Sequence, residues 1–193
     1  MPNKEPRPPP GPRKRKCKVC RALFVPRSIT HKACGPGCAQ IVVSDERKAQ
    51  ERKTDKVRKL ALKRRGDWMR EAQASFNAFI RMRDKLAGYA CVSSGKPLDW
   101  SGNAVDAGHF RSVGSAPHLR FNEDNVHAQS KQENRYASGN AVDYRIGLIA
   151  RIGLVRVEAL EADQTPRKYS IEELQAIKAH YRAKLKQLQE SAK

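Results

Sequence analysis

Residues 106–140 read DAGHFRSVGSAPHLRFNEDNVHAQSKQENRYASGN, and this stretch decides how the rest of the chain is read. It holds three of the chain's five histidines, His109, His118 and His127, among residues that interrupt any long helix. Gly, Pro, Ser and Asn recur through it, so turn chemistry dominates its centre. β-favouring pieces near Tyr89–Val92 and Phe121–His127 predict two short strands joined by a loop. Lys131–Tyr136 predicts a short helix ending near Gly139.

Helices are expected on both sides. Downstream, Val142–Arg151 closes at Gly153, residues 154–162 form another short helix, and Ser170 with Glu173 makes a capping box. Leu174, Ile177, Tyr181, Leu185 and Leu188 then give a final helix an apolar stripe, read as core packing. Upstream, Asp67 caps a helix that buries Trp68, Ala72, Phe76, Phe79, Ile80 and Met82 and runs through Leu86. Gly66 separates it from a charged stretch, Asp45–Arg65, with i,i+4 pairs such as Arg47 with Glu51 and Asp55 with Lys59. The fold class is therefore α+β and mostly helical, with a small strand-strand-helix core. The expected organisation is a disordered basic tail over 1–16, a four-cysteine module over 17–43, a charged connector helix over 44–66 and the main domain over 67–193.

Charge restricts the partners. Lys and Arg number 39 against 20 Asp and Glu, a formal net charge of +19 with a pI near 10.1. Such a chain seeks a polyanion, and nucleic acid gains from counterion release at each neutralised phosphate. The apolar run Ile41–Val43 is far below the roughly 18–20 residues that span a bilayer, so no membrane partner is expected. The N-terminus shows Pro8, Pro9 and Pro10, then Arg13–Lys16, and no secretory signal, which places the protein in a cytoplasm. Four of five cysteines, Cys17, Cys20, Cys34 and Cys38, are spaced C-x2-C-x13-C-x3-C. Two close pairs on a short segment suit a tetrahedral structural zinc, whose binding energy replaces a core this segment cannot build.

The central stretch resembles an HNH nuclease motif, with His109, Asn125 and Asn134 at its three positions, separated by 16 and then 9 residues. More narrowly, AGHF, APHLRF, NVHAQ and NRYASGN together resemble the NinG family of lambdoid phages, and the likeness extends into the flanking helices and the N-terminal cysteines. The resemblance implies a ββα-metal core and a phage endonuclease, in the host bacterial cytoplasm, that cuts branched recombination intermediates such as Holliday junctions. It assigns His109 as general base, Asn125 as the residue orienting the loop or the imidazole, and Asn134 as a ligand to Mg2+ or Mn2+. Those roles suit the chemistry, because phosphodiester hydrolysis needs a base for water and a cation for the extra negative charge. Histidine titrates near neutrality.

Several HNH features are altered. Where many such proteins carry Asp before the first His, position 108 is Gly, so the second metal ligand is open between Asp106 and His127. Arg111, Arg120, Lys131 and Arg135 are candidate phosphate contacts, and His118 is read as a phosphate contact or a solvated loop residue. Where many HNH proteins of this kind carry two C-x2-C pairs flanking the motif, this chain has Cys91 with Ser94, and Ser130 with Glu133, so no second zinc is expected. Symmetric cutting of two strands implies a homodimer, which light scattering showing a strict monomer with and without junction DNA would remove. The alternative reading is a non-catalytic DNA-binding recombination accessory protein with a degenerate HNH fold. Metal-dependent cleavage separates the two. RNA binding ranks lower, since 6% aromatic residues offer few stacking platforms, and competition between RNA and junction DNA tests it.

Overall fold

The computed structural model describes residues 13–136 and 139–192, in two compact units that divide after Leu62. In the first, β1 (Arg15–Lys16) pairs antiparallel with β2 (Leu23–Phe24), and α1 spans Pro36–Ala61. Cys17 follows β1 and enters a tight turn closed by its own N–H on the Ala22 carbonyl, at 2.8 Å. Pro36 sits in the first turn of α1, where its fixed φ suits a helix start, and Cys38 lies just behind it. The small core is Cys17, Ala33 and Val42, with Val19 and Phe24 packed against it.

Two boundaries differ from expectation. The charged helix starts at Pro36, not Asp45, so the cysteine module and the connector overlap in one element. Arg15 and Lys16 form a strand and are not part of a tail; residues 1–12 of the expected tail lie outside the described residues. Along the exposed helix Arg47 pairs with Glu51 at 3.7 Å, while Asp55 takes Arg58 rather than Lys59.

The second unit is organised by α2 (Arg65–Leu86), which begins at Arg65 with Gly66 inside its first turn. The break therefore falls at residues 62–64, and Asp67 caps from the third helical position by accepting the Arg64 N–H at 2.9 Å. Trp68, Ala72, Phe76, Phe79 and Ile80 are buried. They pack against α5 (Ile171–Ser191), which starts with the Ser170–Glu173 capping box and buries Leu174 and Tyr181. Each large side chain buried in this pairing contributes about 1.5–3 kcal/mol.

Strand β3 (Val105–His109) runs antiparallel to β4 (Val126–Ser130), with Gly108 opposite His127 and His109 opposite Val126. Ala107 and Val126 pack onto α2. A second core joins α3 (Ala141–Ile152) and α4 (Leu154–Ala162) to the loops through Val92, Ala116, Leu119, Tyr144, Leu148, Val157 and Leu160. Gly153 links these helices directly at φ 86°, a conformation that favours glycine.

The predicted strands are displaced. Tyr89–Cys91 is irregular and leads into a tight turn at Val92–Ser94, closed by the Cys91 N–H on the Lys96 carbonyl and the Gly95 N–H on the Cys91 carbonyl, both at 2.9 Å. The partner strand is instead Val105–His109, whose Ala and Gly carry little β signal. Phe121–Asn125 is also a turn, because the Asn122 side chain accepts the Asp124 N–H at 2.8 Å. The helix expected over Lys131–Tyr136 is a single wide π-type turn, Gln132–Tyr136. Among the described residues no helix is long and apolar enough to cross a membrane.

Candidate functional site

The Sγ atoms of Cys17, Cys20, Cys34 and Cys38 all lie within 4.8 Å of one another. Cys20 and Cys34 are 3.4 Å apart, and Cys34 and Cys38 3.8 Å. Tetrahedral zinc with Zn–S bonds of about 2.3 Å requires sulfur separations near 3.8 Å, so the donor set fits that ion. The backbone N–H of Cys20 draws the Cys17 thiol down to about 6, against the effect of burial. Hydrogen bonding with the Cys20 thiol, then with those of Cys17 and Cys38, pushes Cys34 up to about 12. Thiols this crowded resist joint ionisation until a cation neutralises them. The four can bind zinc, and four thiolates close the shell.

A separate cleft of about 350 Å3 is lined by His109 and Asn134 together with Gln73, Asn77, Ser112 and Arg120. His109 Nε2 donates to the Arg120 carbonyl at 3.1 Å. A carbonyl can only accept, so Nε2 carries the proton and Nδ1 is the basic nitrogen. Burial holds the imidazole below the ordinary histidine value, outweighing the hydrogen bond to that carbonyl, and the positive Arg120 side chain acts in the same direction as burial. His109 is therefore neutral at neutral pH.

Asn125 fixes the loop that supplies this carbonyl. Its Oδ1 accepts the Arg111 N–H at 2.8 Å, and its Nδ2 donates to the carbonyls of Arg111 and Leu119 at 3.0 and 3.2 Å. Fully buried, it pins both ends of the loop with one amide. Asn134, which lines the cleft, donates from Nδ2 to Asp106 Oδ2 at 3.1 Å, so a carboxylate outside the cleft lining stands beside its amide. Both offer the oxygen donors that Mg2+ or Mn2+ takes.

His127 is not brought to this cleft. Its ring is 4% exposed, and its Nδ1 accepts from Arg83 Nη2 at 3.0 Å and lies 3.6 Å from Asp84 Oδ2. It belongs to a buried ionic knot centred on Asp84. Burial pushes that carboxyl up, yet the adjacent His127 imidazole, the Arg83 guanidinium and the Ala128 N–H bring it to about 2. Of the two open choices for second ligand, only Asp106 is near Asn134. The Arg111 guanidinium caps the end of α4, donating to the carbonyls of Leu160, Glu161 and Asp163 at 3.2, 2.8 and 3.3 Å. Arg135 pairs with Asp106 at 3.0 Å, and Lys131 is half-buried beside the π-type turn. Arg120 is the cation in the cleft wall, held by Gln73 Oε1 at 3.2 Å.

Sequence reasoning missed Gln73 and Asn77, an i,i+4 pair on α2 joined at 2.7 Å that faces the cleft beside the apolar stripe. Their half-polar face was the available signal. It also missed Tyr144, whose hydroxyl donates to the Gly108 carbonyl at 2.8 Å and accepts the His127 N–H at 3.1 Å, clamping the two strands. Gln129 explains Gly108: a Cβ at position 108 would overlap the Gln129 amide oxygen. Gln129 Nε2 donates to Ser93 Oγ at 2.5 Å and to the Gly139 carbonyl at 2.8 Å, which fixes the amide in that orientation. At the altered cysteine positions, Cys91 Sγ accepts the Ser130 N–H at 3.3 Å and Ser130 Oγ accepts the Glu133 N–H at 3.2 Å.

The chain is thus a small basic protein in which a cysteine-cluster unit precedes a mostly helical α+β unit that bears a histidine cleft beside a two-stranded sheet. The family model for the bacteriophage lambda NinG protein matches residues 10–191, and the chain belongs to the NinG family. It is 38% identical to protein ninG of Escherichia phage lambda over 93% of this chain and 96% of that protein. It is also 38% identical to protein ninG of Salmonella phage P22, over 92% of this chain and 95% of that one. No solved structure matches it.

Proposed function

We propose that this chain is a divalent-metal-dependent endonuclease of the HNH, or ββα-metal, type that cuts branched DNA. The observation that carries the reading is one cleft lined by a neutral His109, with Nε2 tied to a carbonyl and Nδ1 basic, and by Asn134, whose amide is hydrogen-bonded to the neighbouring Asp106. In this reading His109 Nδ1 accepts the proton of the attacking water. Asn125 keeps the imidazole aligned by holding the loop that bears the Arg120 carbonyl. Asp106 and Asn134 would hold Mg2+ or Mn2+, which supplies stabilisation of charge on the phosphate and leaving oxygens. Arg120 offers a further positive charge to the phosphate. The net charge of +19 supports DNA as the partner, and the preference for branched DNA rests on the family likeness.

The test is incubation of labelled four-way junctions and matched linear duplex with the protein in Mg2+, Mn2+ or EDTA. Junction-selective cutting that EDTA abolishes is expected; binding without cutting in either metal would overturn the reading. One observation favours the alternative, a DNA-binding recombination accessory protein. Among the described residues, the four cysteines are the one group of three or more His, Cys, Asp or Glu placed to hold a metal, and Asp106 is already paired with Arg135.

A further inference from the structure

The segment 118–122 has two sides, and the reading above uses one of them. Arg120 turns into the His109 cleft, whereas its neighbours on either side wall a separate open cavity of about 520 Å3. That volume is within the roughly 300–1,000 Å3 of small-molecule sites. Its chemistry is specific. Phe121, Tyr169 and Tyr181 contribute rings rather than hydroxyls, since Tyr169 donates its proton to the His118 carbonyl at 3.1 Å and Tyr181 to the Phe121 carbonyl at 3.2 Å. The His118 side chain is only 7% exposed, with Nε2 3.7 Å from Asp163 Oδ1 and donating to the Asp163 carbonyl at 2.9 Å. Its Nδ1 therefore bears a lone pair that can accept. The Asp163 carboxylate lines the same space. Arg167 lies 4.8 Å from the Tyr169 ring centroid, at the exposed edge.

Aromatic surface, two acceptors and one guanidinium together select a planar, donor-bearing heterocycle that carries an anion. A bare phosphate would leave the rings unused and meet Asp163, and a purely apolar group would strand the acceptors. We propose that this cavity takes one unstacked nucleotide of the bound strand, its base among the rings and its phosphate toward Arg167. The source of that nucleotide rests on the DNA reading above. A strand crossing the 118–122 wall would put neighbouring nucleotides on its two sides, which requires the unpaired or distorted bases of a branch point and not regular duplex.

The test is an NMR titration of histidine-labelled full-length protein with each deoxynucleoside monophosphate, and with inorganic phosphate at equal concentration. Saturable shifts of the His118 and His180 resonances with nucleotides, and not with phosphate, are expected. His118→Gln keeps a donor for the Asp163 carbonyl and removes Nδ1, and Arg167→Ala alters an exposed side chain; read at His180, each should weaken binding about three- to ten-fold. No shifts in the parent protein, equal shifts with phosphate alone, or unchanged binding in both variants would overturn the site. Nucleotide binding in a protein that never cuts DNA would sink the nuclease reading and leave this site standing. Cutting without nucleotide shifts would do the reverse.

Discussion

At the scale of single residues, the chemistry turns on where the His109 proton sits. Burial lowers its pKa, so the base stays unprotonated at neutral pH and becomes protonated only below the ordinary histidine range. Cleavage measured against pH should therefore hold a plateau through neutrality and fall on the acid side of about 6.5. A limb centred well above that value would contradict the assignment. Gly108 tests the packing beneath the site. Gly108→Asp, which places a carboxylate directly before His109, drives a side chain into Gln129 and should cost about 1–3 kcal/mol by urea unfolding. Gln129→Ala in the same chain should recover part of that loss. An additive double variant would show that the two side chains do not compete.

Among elements, a buried ionic tie joins α2, β4 and α3. Asp84 is fully buried, accepts the Ala128 N–H at 2.6 Å and Arg83 Nε at 2.7 Å, and lies 3.6 Å from Arg151 Nη1. Asp84→Ala leaves two guanidinium groups without their counter-charge and should cost about 3–5 kcal/mol, read by denaturant melts. The Asp84 carboxyl sits at about 2 against an ordinary 3.8, so its stabilisation is present above the ordinary value and is lost as pH falls from there toward 2. The helices were legible because apolar spacing and capping residues declare them: α2, α5 and the turn at Gly153 appear where Phe76, Ser170 and Gly153 predict them. The strands were not. Val-Asp-Ala-Gly-His has weak β preference, and its pairing is set by contacts distant in sequence: Tyr144 across the strands and Asp84 on the Ala128 N–H. The cleft was half legible. His109 and Asn134 were named, but Gln73 and Asn77 come from a helix more than thirty residues earlier in the chain, and no local pattern announces such a meeting.

For the whole molecule, two units imply two separable stabilities. The first unit's core is small, so the four-cysteine site should dominate its folding. Metal analysis should give one zinc per chain, and its chelation should expose residues 13–62 to protease while residues 63–192 stay resistant. Two zinc ions in the parent protein would show that Cys91, Ser94, Ser130 and Glu133 still hold metal. The nuclease reading of the larger unit converges on His109 as a base. Single-turnover cleavage of a four-way junction in Mg2+ or Mn2+ by His109→Ala, with and without added imidazole, tests this most directly. The account predicts a loss of about 10²–10⁴-fold, partly restored by imidazole. Cleavage at the parent rate by the variant, or no cleavage by the parent protein in either metal, would contradict it.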